Sequence, residues 1–325
     1  MSIDIDFLNK LTHGAVKIAE GADGYYFYRM TGCQSKACLN TSQDYIHKPF
    51  STAGIRFEFI TDAAGFRIKG VFRRGSSRQY AYVDVKVNGI IVQHEGTDNY
   101  PENPDFEMTV KLDGRKNRVA VYLPNLAQFV LQEFDFENAS FIEPVKKDFT
   151  MVCWGDSITH GYDALYPSLS YANALADRLN AEMYNKAIGG EIFNPAYFEE
   201  FEPLNPDVIT IAYGTNDWNK RSGDDLKRNA PAFLEKITSL YPEAVFYLIV
   251  PVWRADNDRI TNAGTFDNAR GMIFDICKDF SSINVIDGMK LVPHEIGFFK
   301  DKYLHPNDLG FMYMTEKLLE YIKRP

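Results

Sequence analysis

The chain has no apolar run long enough to cross a bilayer. Its longest, Ala244 to Trp253, contains Pro251 and falls well short of the roughly 20 residues that a spanning helix needs. Cysteine is scarce and scattered. Of the four, only Cys33 and Cys38 lie near each other, and neither has neighbours at zinc-ligand spacing, so a disulfide scaffold and a zinc module are both excluded and reduced structural thiols are expected. Positive charge is not in excess: 35 Lys and Arg against 44 Asp and Glu give a net charge of −9, which argues against nucleic acid and against an anionic membrane surface as partner. The first strand of the C-terminal half is followed by neither a phosphate loop nor a Gly-x-Gly-x-x-Gly turn, so nucleotide binding is not indicated, and no basic amphipathic segment suggests an interfacial helix. The stretch Met1 to Glu20 carries Asp4 and Asp6 without a signal-peptide core, and a cytoplasmic protein is the expectation. His13, His47, His94 and His294 have no partners at metal spacing and read as structural.

The 325 residues are 45% apolar and 24% charged, which is ordinary for a soluble globular protein and enough for two domains. From about residue 24 to 138 the apolar pattern has period two, as in Ile55 to Phe59 and Tyr80 to Val87. The second of these runs into Asn88-Gly89 and then Ile90 to Val92, a hairpin signal. Glu107 to Leu112, Asp113-Gly114 and Arg118 to Leu123 read as a second hairpin. No long helix is evident, so residues 1–145 are expected to form an antiparallel β-sandwich, jelly-roll-like in character. Within it Arg67, Lys69, Arg73, Arg74 and Arg78 alternate with apolar residues and read as a solvated strand face.

After Glu143 to Lys147 the character changes. Short apolar runs (150–154, 182–187, 207–212, 245–250, 283–286) alternate with helix-length segments (170–179, 224–240, 262–280 and 307–323). Alternation of this kind predicts a parallel sheet covered on both faces over residues 146–325. Ligands of such sheets sit outside the carboxyl ends of the strands. There stand Cys153-Trp-Gly-Asp-Ser-Ile-Thr-His-Gly161, then Asn185 to Glu191 with Gly189-Gly190, then Tyr213-Gly-Thr-Asn-Asp-Trp218, and, before the last helix, Asp301-Lys-Tyr-Leu-His-Pro306. A Ser at a strand-to-helix turn, a glycine pair, an Asn and a His are the groups that acyl transfer needs: nucleophile, oxyanion donors and general base. His160, one helical turn from Ser157, is a rival base, and Asp156 reads as a helix-start residue.

These four blocks resemble the SGNH hydrolases, the GDSL-type esterases, in the family's order across residues 148–325. The two-domain layout is similar to carbohydrate esterase family 2. The resemblance implies a three-layer α/β/α domain with five parallel, flavodoxin-like strands. It makes Ser157 the nucleophile, with His305 as base. The N–H groups of Ser157 and Gly190 and the side-chain amide of Asn216 would form the oxyanion hole, and no cofactor or metal is required.

One position departs from the family pattern. The Asp expected three residues before the His is Lys302, and Asp301 lies four before it. Either the loop carries an extra residue and Asp301 orients the imidazole, or a Ser–His dyad is steered by a backbone carbonyl. Trp218, Trp253 and Tyr162 could stack on a sugar ring or serve only as packing, and Arg254 could serve a polar substrate. The expected activity is removal of a short acyl group, acetyl above all, from an acylated oligosaccharide. Alternatives are a lipase or lysophospholipase and a non-catalytic carbohydrate-binding protein.

Overall fold

A computed structural model describes residues 4–199 and 204–325. The first three residues of the N-terminal stretch judged not to be a signal peptide lie outside it. Contacts divide the chain into two compact units. One comprises Asp44–Lys147 with the N-terminal segment to Thr31 and Tyr166–Ser168; the other comprises Gly32–Gln43, Asp148–Leu165 and Leu169–Pro325.

The first unit is built from two antiparallel sheets. In one, Thr12–His13, Arg56–Thr61, Asn117–Tyr122, Ala81–Val87 and Ile90–Thr97 are neighbours in that order; in the other, Lys17–Gly21, Gly24–Tyr28, Ala127–Glu137, Gly65–Arg74 and Asp105–Lys111. Alternate residues of both sheets meet in a phenylalanine-rich core, where Phe59 contacts Phe66 and Phe134 edge to face at 5.6 and 5.8 Å. The Asn88-Gly89 turn is the expected hairpin, both residues having positive φ (51° and 85°). Asp113-Gly114 is not. Asp105–Lys111 pairs with Gly65–Arg74 in one sheet, whereas Asn117–Tyr122 pairs with Arg56–Thr61 and Ala81–Val87 in the other, so this turn carries the chain between sheets. The local turn chemistry is that of a hairpin, but the burial of Phe106, Met108 and Val110 decides the partner. The basic face is solvated as expected: Arg67 pairs with Glu107, Glu133 and Asp135 from the strands on either side.

The region read as strand also contains the helix Gly32–Thr41, which belongs to the second unit, and it is preceded by the helix Ile5–Leu11, capped by Asp4. The small residues and weak periodicity of Gly32–Thr41 gave no helical signal.

In the second unit five parallel strands, β1 (Phe149–Gly155), β2 (Ala181–Asn185), β3 (Val208–Ala212), β4 (Val245–Val250) and β5 (Ile283–Asp287), lie in the order β2-β1-β3-β4-β5. Helices Tyr171–Leu179 and Asp308–Tyr321 pack together against one face, sharing a core with Met151, Cys153, Met183 and Ile249. Trp154, pointing the other way, meets Phe233 of helix Gly223–Leu240 at 6.3 Å, and that helix pairs with Phe266–Cys277. Capping boxes start both helices of this second face, Ser222 with Asp225 and Thr265 with Asn268. The helix foreseen from residue 262 begins at Phe266 because Ile260–Thr261 and Gly264–Thr265 form a short antiparallel ladder ahead of it. The strand order reverses between β1 and β3, and the crevice at such a switch point is where open α/β sheets place their ligands.

Candidate active site

Strand β1 ends at Gly155, and Asp156 caps the short helix Ser157–His160, its carboxylate accepting from the Ile158 N–H at 3.0 Å. The turn leaves Ser157 at the mouth of the β1/β3 crevice. Its Oγ lies 2.8 Å from His305 Nε2, and His305 Nδ1 lies 2.6 Å from Asp301 Oδ2. These three side chains form one continuous hydrogen-bonded chain, with Ser157 and His305 buried at 5% and 8% exposure.

The His305 loop explains how Asp301 reaches the ring from four residues away. Phe299 and Pro306 form a bridge, and the Lys300 N–H donates to the His305 carbonyl at 2.9 Å, so the segment folds back on itself. Lys302, standing where the family pattern has Asp, takes a φ of 68°; this left-handed residue absorbs the extra length of the loop. Asp301 Oδ1 then accepts the N–H groups of Tyr303, Leu304 and His305 at 3.0, 2.8 and 3.1 Å, which leaves Oδ2 for the imidazole. Burial by itself would raise this carboxyl, but the His305 hydrogen bond and the backbone N–H groups outweigh it and hold the group well below the usual carboxylate range.

The loops after β2 and β3 converge on the same crevice. Asn216 Nδ2 donates to the Glu191 carbonyl at 3.0 Å and lies 3.4 Å from Asp156 Oδ2, tying together the residue before Ser157, the residue after Gly190 and Asn216 itself. Gly190 has a φ of 91°, a conformation in which any side chain would be strained, and its carbonyl accepts from Lys220 Nζ at 2.8 Å. The structure therefore brings Ser157, Asp301 and His305 into direct contact and gathers the segments bearing Gly190 and Asn216 beside them. His160 is not part of this chain: it is fully buried and its Nδ1 accepts the Gly189 N–H at 3.1 Å.

The aromatic candidates divide. Tyr162 is buried and stacks on the His305 ring at 5.6 Å. Trp218 is fully buried, donates to the Gly264 carbonyl at 3.1 Å and lies under the guanidinium of Arg254 at 4.7 Å. Both are packing residues. Trp253 stacks on His294 at 5.6 Å. Arg254 is buried, held bidentate by Asp256 at 2.6 and 3.0 Å, and donates to Thr215 Oγ at 2.9 Å, next to Asn216.

Sequence reasoning missed a group of buried acids. Asp156 is pushed up to about 6, Asp217 to about 7, and Glu191 is raised as well, burial being the largest cause in each case. Glu191 accepts from the Tyr197 hydroxyl, whereas Asp217 is held by backbone N–H groups, that of Phe193 at 3.3 Å on Oδ1 and its own, and its Oδ2 has no partner among the described residues. Such residues look like turn acids in a sequence, and only the fold reveals their burial. Asp217 has a consequence for stability. Its folded value lies above the unfolded one, so the native state holds the proton more tightly. The stabilisation is complete below about pH 4 and is lost as pH rises towards 7. Asp217→Asn keeps the acceptor for Phe193 and removes the charge. It is therefore expected to melt a few degrees higher than wild type at pH 8 and at the same temperature near pH 4, as measured by calorimetry. A lower melting temperature at pH 8 would show that the carboxylate is compensated.

Comparison with known proteins bears on the family and the fold. Residues 153–312 match the model of the GDSL-like Lipase/Acylhydrolase family. Among solved structures, the fold is similar to a salicylyl-acyltransferase, SsfX3, from a tetracycline biosynthetic pathway (TM-score 0.79, 20% identity, 96% of this chain and 95% of that one). It is also similar to a family two carbohydrate esterase from Clostridium thermocellum in complex with cellohexaose (0.62, 15%, 83% and 92%). An acetyl xylan esterase, Est2A, from the rumen bacterium Butyrivibrio proteoclasticus resembles it as well (0.59, 14%, 87% and 96%). No curated protein matches the sequence.

Proposed function

We propose that this chain, whose residues 153–312 match the model of the GDSL-like Lipase/Acylhydrolase family, is a serine esterase that removes short acyl groups, most of all acetyl, from a carbohydrate. The observation that carries this reading is the Ser157–His305–Asp301 chain at 2.8 and 2.6 Å.

In the proposed reaction Ser157 Oγ attacks the ester carbonyl while His305 Nε2 takes its proton. Asp301 keeps the remaining ring proton on Nδ1 and balances the imidazolium. The oxyanion is held by the N–H groups of Ser157 and Gly190 and by the Asn216 amide. The amide's 3.4 Å approach to Asp156 is weak and leaves donor capacity for it. As the intermediate collapses, the carbon–oxygen bond to the alcohol breaks and His305 returns its proton to the departing oxygen. Water, deprotonated by His305, then cleaves the acyl-enzyme to release the acid and restore Ser157.

A polar alcohol is favoured by what stands beside Asn216. The buried Arg254 guanidinium, held by Asp256, lies between Trp218 at 4.7 Å and Tyr303 at 5.9 Å, and Tyr303, the exposed member of this stack, offers a ring face and a hydroxyl to a sugar rather than an aliphatic wall. The structural likeness to carbohydrate esterases supports the same choice at the level of fold.

The test is an ester panel. p-Nitrophenyl acetate should give a kcat/KM at least about tenfold above that for the octanoate, since several misplaced methylenes each cost transition-state binding. Acetylated xylo-oligosaccharides should be deacetylated. Preference for octanoate would replace this reading with the lipase one, and activity on no ester would replace it with the binding one.

A further inference from the structure

Two carboxylates, not one, face the outer nitrogen of His305. We infer that the second, Asp163, is a positioning residue that strengthens His305 as a base. The inference rests on the esterase reading above.

Asp163 Oδ2 lies 3.5 Å from His305 Nδ1, with side-chain exposures of 5% and 10%. One carboxylate oxygen each of Asp163 and Asp301 and a ring nitrogen of His305 all lie within 4.8 Å of one another. Asp163 arrives there through an uncommon backbone conformation, a φ of 68°, which Asp and Asn tolerate better than other side chains. The turn that delivers it starts at the nucleophile. Gly161, at a φ of 94°, ends the Ser157 helix, and the N–H groups of Gly161 and Tyr162 both donate to the Ser157 carbonyl, at 3.2 and 2.9 Å. The chain is thereby folded back so that Tyr162 lies on the face of the imidazole and Asp163 beside its Nδ1. Gly189 makes room for this turn, since a Cβ there would fall 2.4 Å from the Tyr162 ring. The segment from Ser157 to Asp163 thus supplies the nucleophile, a wall for the base and a charge for it.

The two acids act differently. Asp301 is committed geometrically, three N–H groups on Oδ1 and the ring on Oδ2. At 3.5 Å Asp163 is too distant for a strong hydrogen bond and acts through its field. Two anions held this close repel each other, and a positive ring beside both relieves that repulsion. Proton uptake by His305 as Ser157 attacks is therefore favoured beyond what Asp301 alone provides. Among the described residues Asp156 also senses the charge of His305, and Lys220 and Arg254 act on Asp156 in turn. The Tyr162 ring is a neutral neighbour.

The sign of the expected effect follows. Asp163 favours the protonated ring, which cannot accept a proton from Ser157. Removing the charge keeps the base free at lower pH and also makes it weaker. In the full-length chain, kcat/KM for p-nitrophenyl acetate measured from pH 4.5 to 9 should show, for Asp163→Asn, an acid limb displaced to lower pH by about one unit. The plateau kcat should fall roughly three- to tenfold with KM little changed. Asp163→Gly, which accepts the positive φ without strain, should displace the limb equally and serves if the Asn variant does not fold. A plateau loss with an unmoved acid limb in either folded variant would mean that Asp163 only braces the turn, and would overturn the inference. The esterase reading fails separately, if Ser157→Ala retains activity.

Discussion

Ser157→Ala is expected to abolish ester hydrolysis, with turnover falling by about 10⁴–10⁶ and the fold intact. The loss is large because no other hydroxyl can take over the role of Ser157 Oγ, which stands at the end of the Asp301–His305 chain, 2.8 Å from the base. The nearby Thr159 hydroxyl is fully buried and paired with Tyr171 at 2.7 Å. Residual turnover would come from water attacking a carbonyl held in the oxyanion site. The substitution removes a single atom from a residue whose helix is capped by Asp156 through the Ile158 N–H, so the melting temperature should move little. His305→Ala should cost a similar factor, and the double variant hardly more than either single one, because nucleophile and base act as a unit. Initial rates on p-nitrophenyl acetate check all three. Activity of Ser157→Ala within tenfold of wild type would remove Ser157 from the chemistry.

The parallel-sheet half was legible in the sequence because its signals are local. Each strand is a short apolar run, each intervening helix has its own periodicity, and the polar loops fall at strand ends by construction of the fold. Ser157, Gly190, Asn216 and His305 could be picked out for the same reason. What the sequence hid depends on distant pairing or on burial. Asp113-Gly114 has the chemistry of a hairpin, yet the strands on either side of it enter different sheets. Asp217 and Glu191 are ordinary loop acids until the surrounding loops close over them. Asp163 follows the nucleophile motif by two residues, but its value lies in a backward turn through Gly161 that no periodicity encodes. Tyr162 drew notice as an aromatic that could meet a sugar, whereas its neighbour in the structure is the imidazole.

Asp301→Asn is expected to lower kcat by about 10³, with KM nearly unchanged. The three N–H groups of Tyr303, Leu304 and His305 all point at Oδ1, so an amide at this position must keep its oxygen there, since the flipped form would set donors against donors. Its NH₂ then faces His305 Nδ1, where the carboxylate accepted a hydrogen bond at 2.6 Å. A donor at that place selects the tautomer with the proton on Nε2, and such a ring cannot take the proton of Ser157. In serine proteases, where one carboxylate does this work, the corresponding change costs about 10⁴. The smaller figure here reflects Asp163, whose charge at 3.5 Å still favours a proton on Nδ1. Because Asp301 is held well below the usual carboxylate range, the wild-type group stays ionised across any practical assay; the comparison is read on the plateau above the acid limb, since loss of this charge beside His305 also displaces that limb to lower pH. At about 1.4 kcal/mol per decade the expected loss is several kcal/mol. A loss under tenfold would mean that His305 is steered without Asp301, by a backbone carbonyl or by Asp163. Asp163→Asn/Asp301→Asn separates those two: with Asp163 as the alternative support it falls far below either single variant, and with a carbonyl it does not.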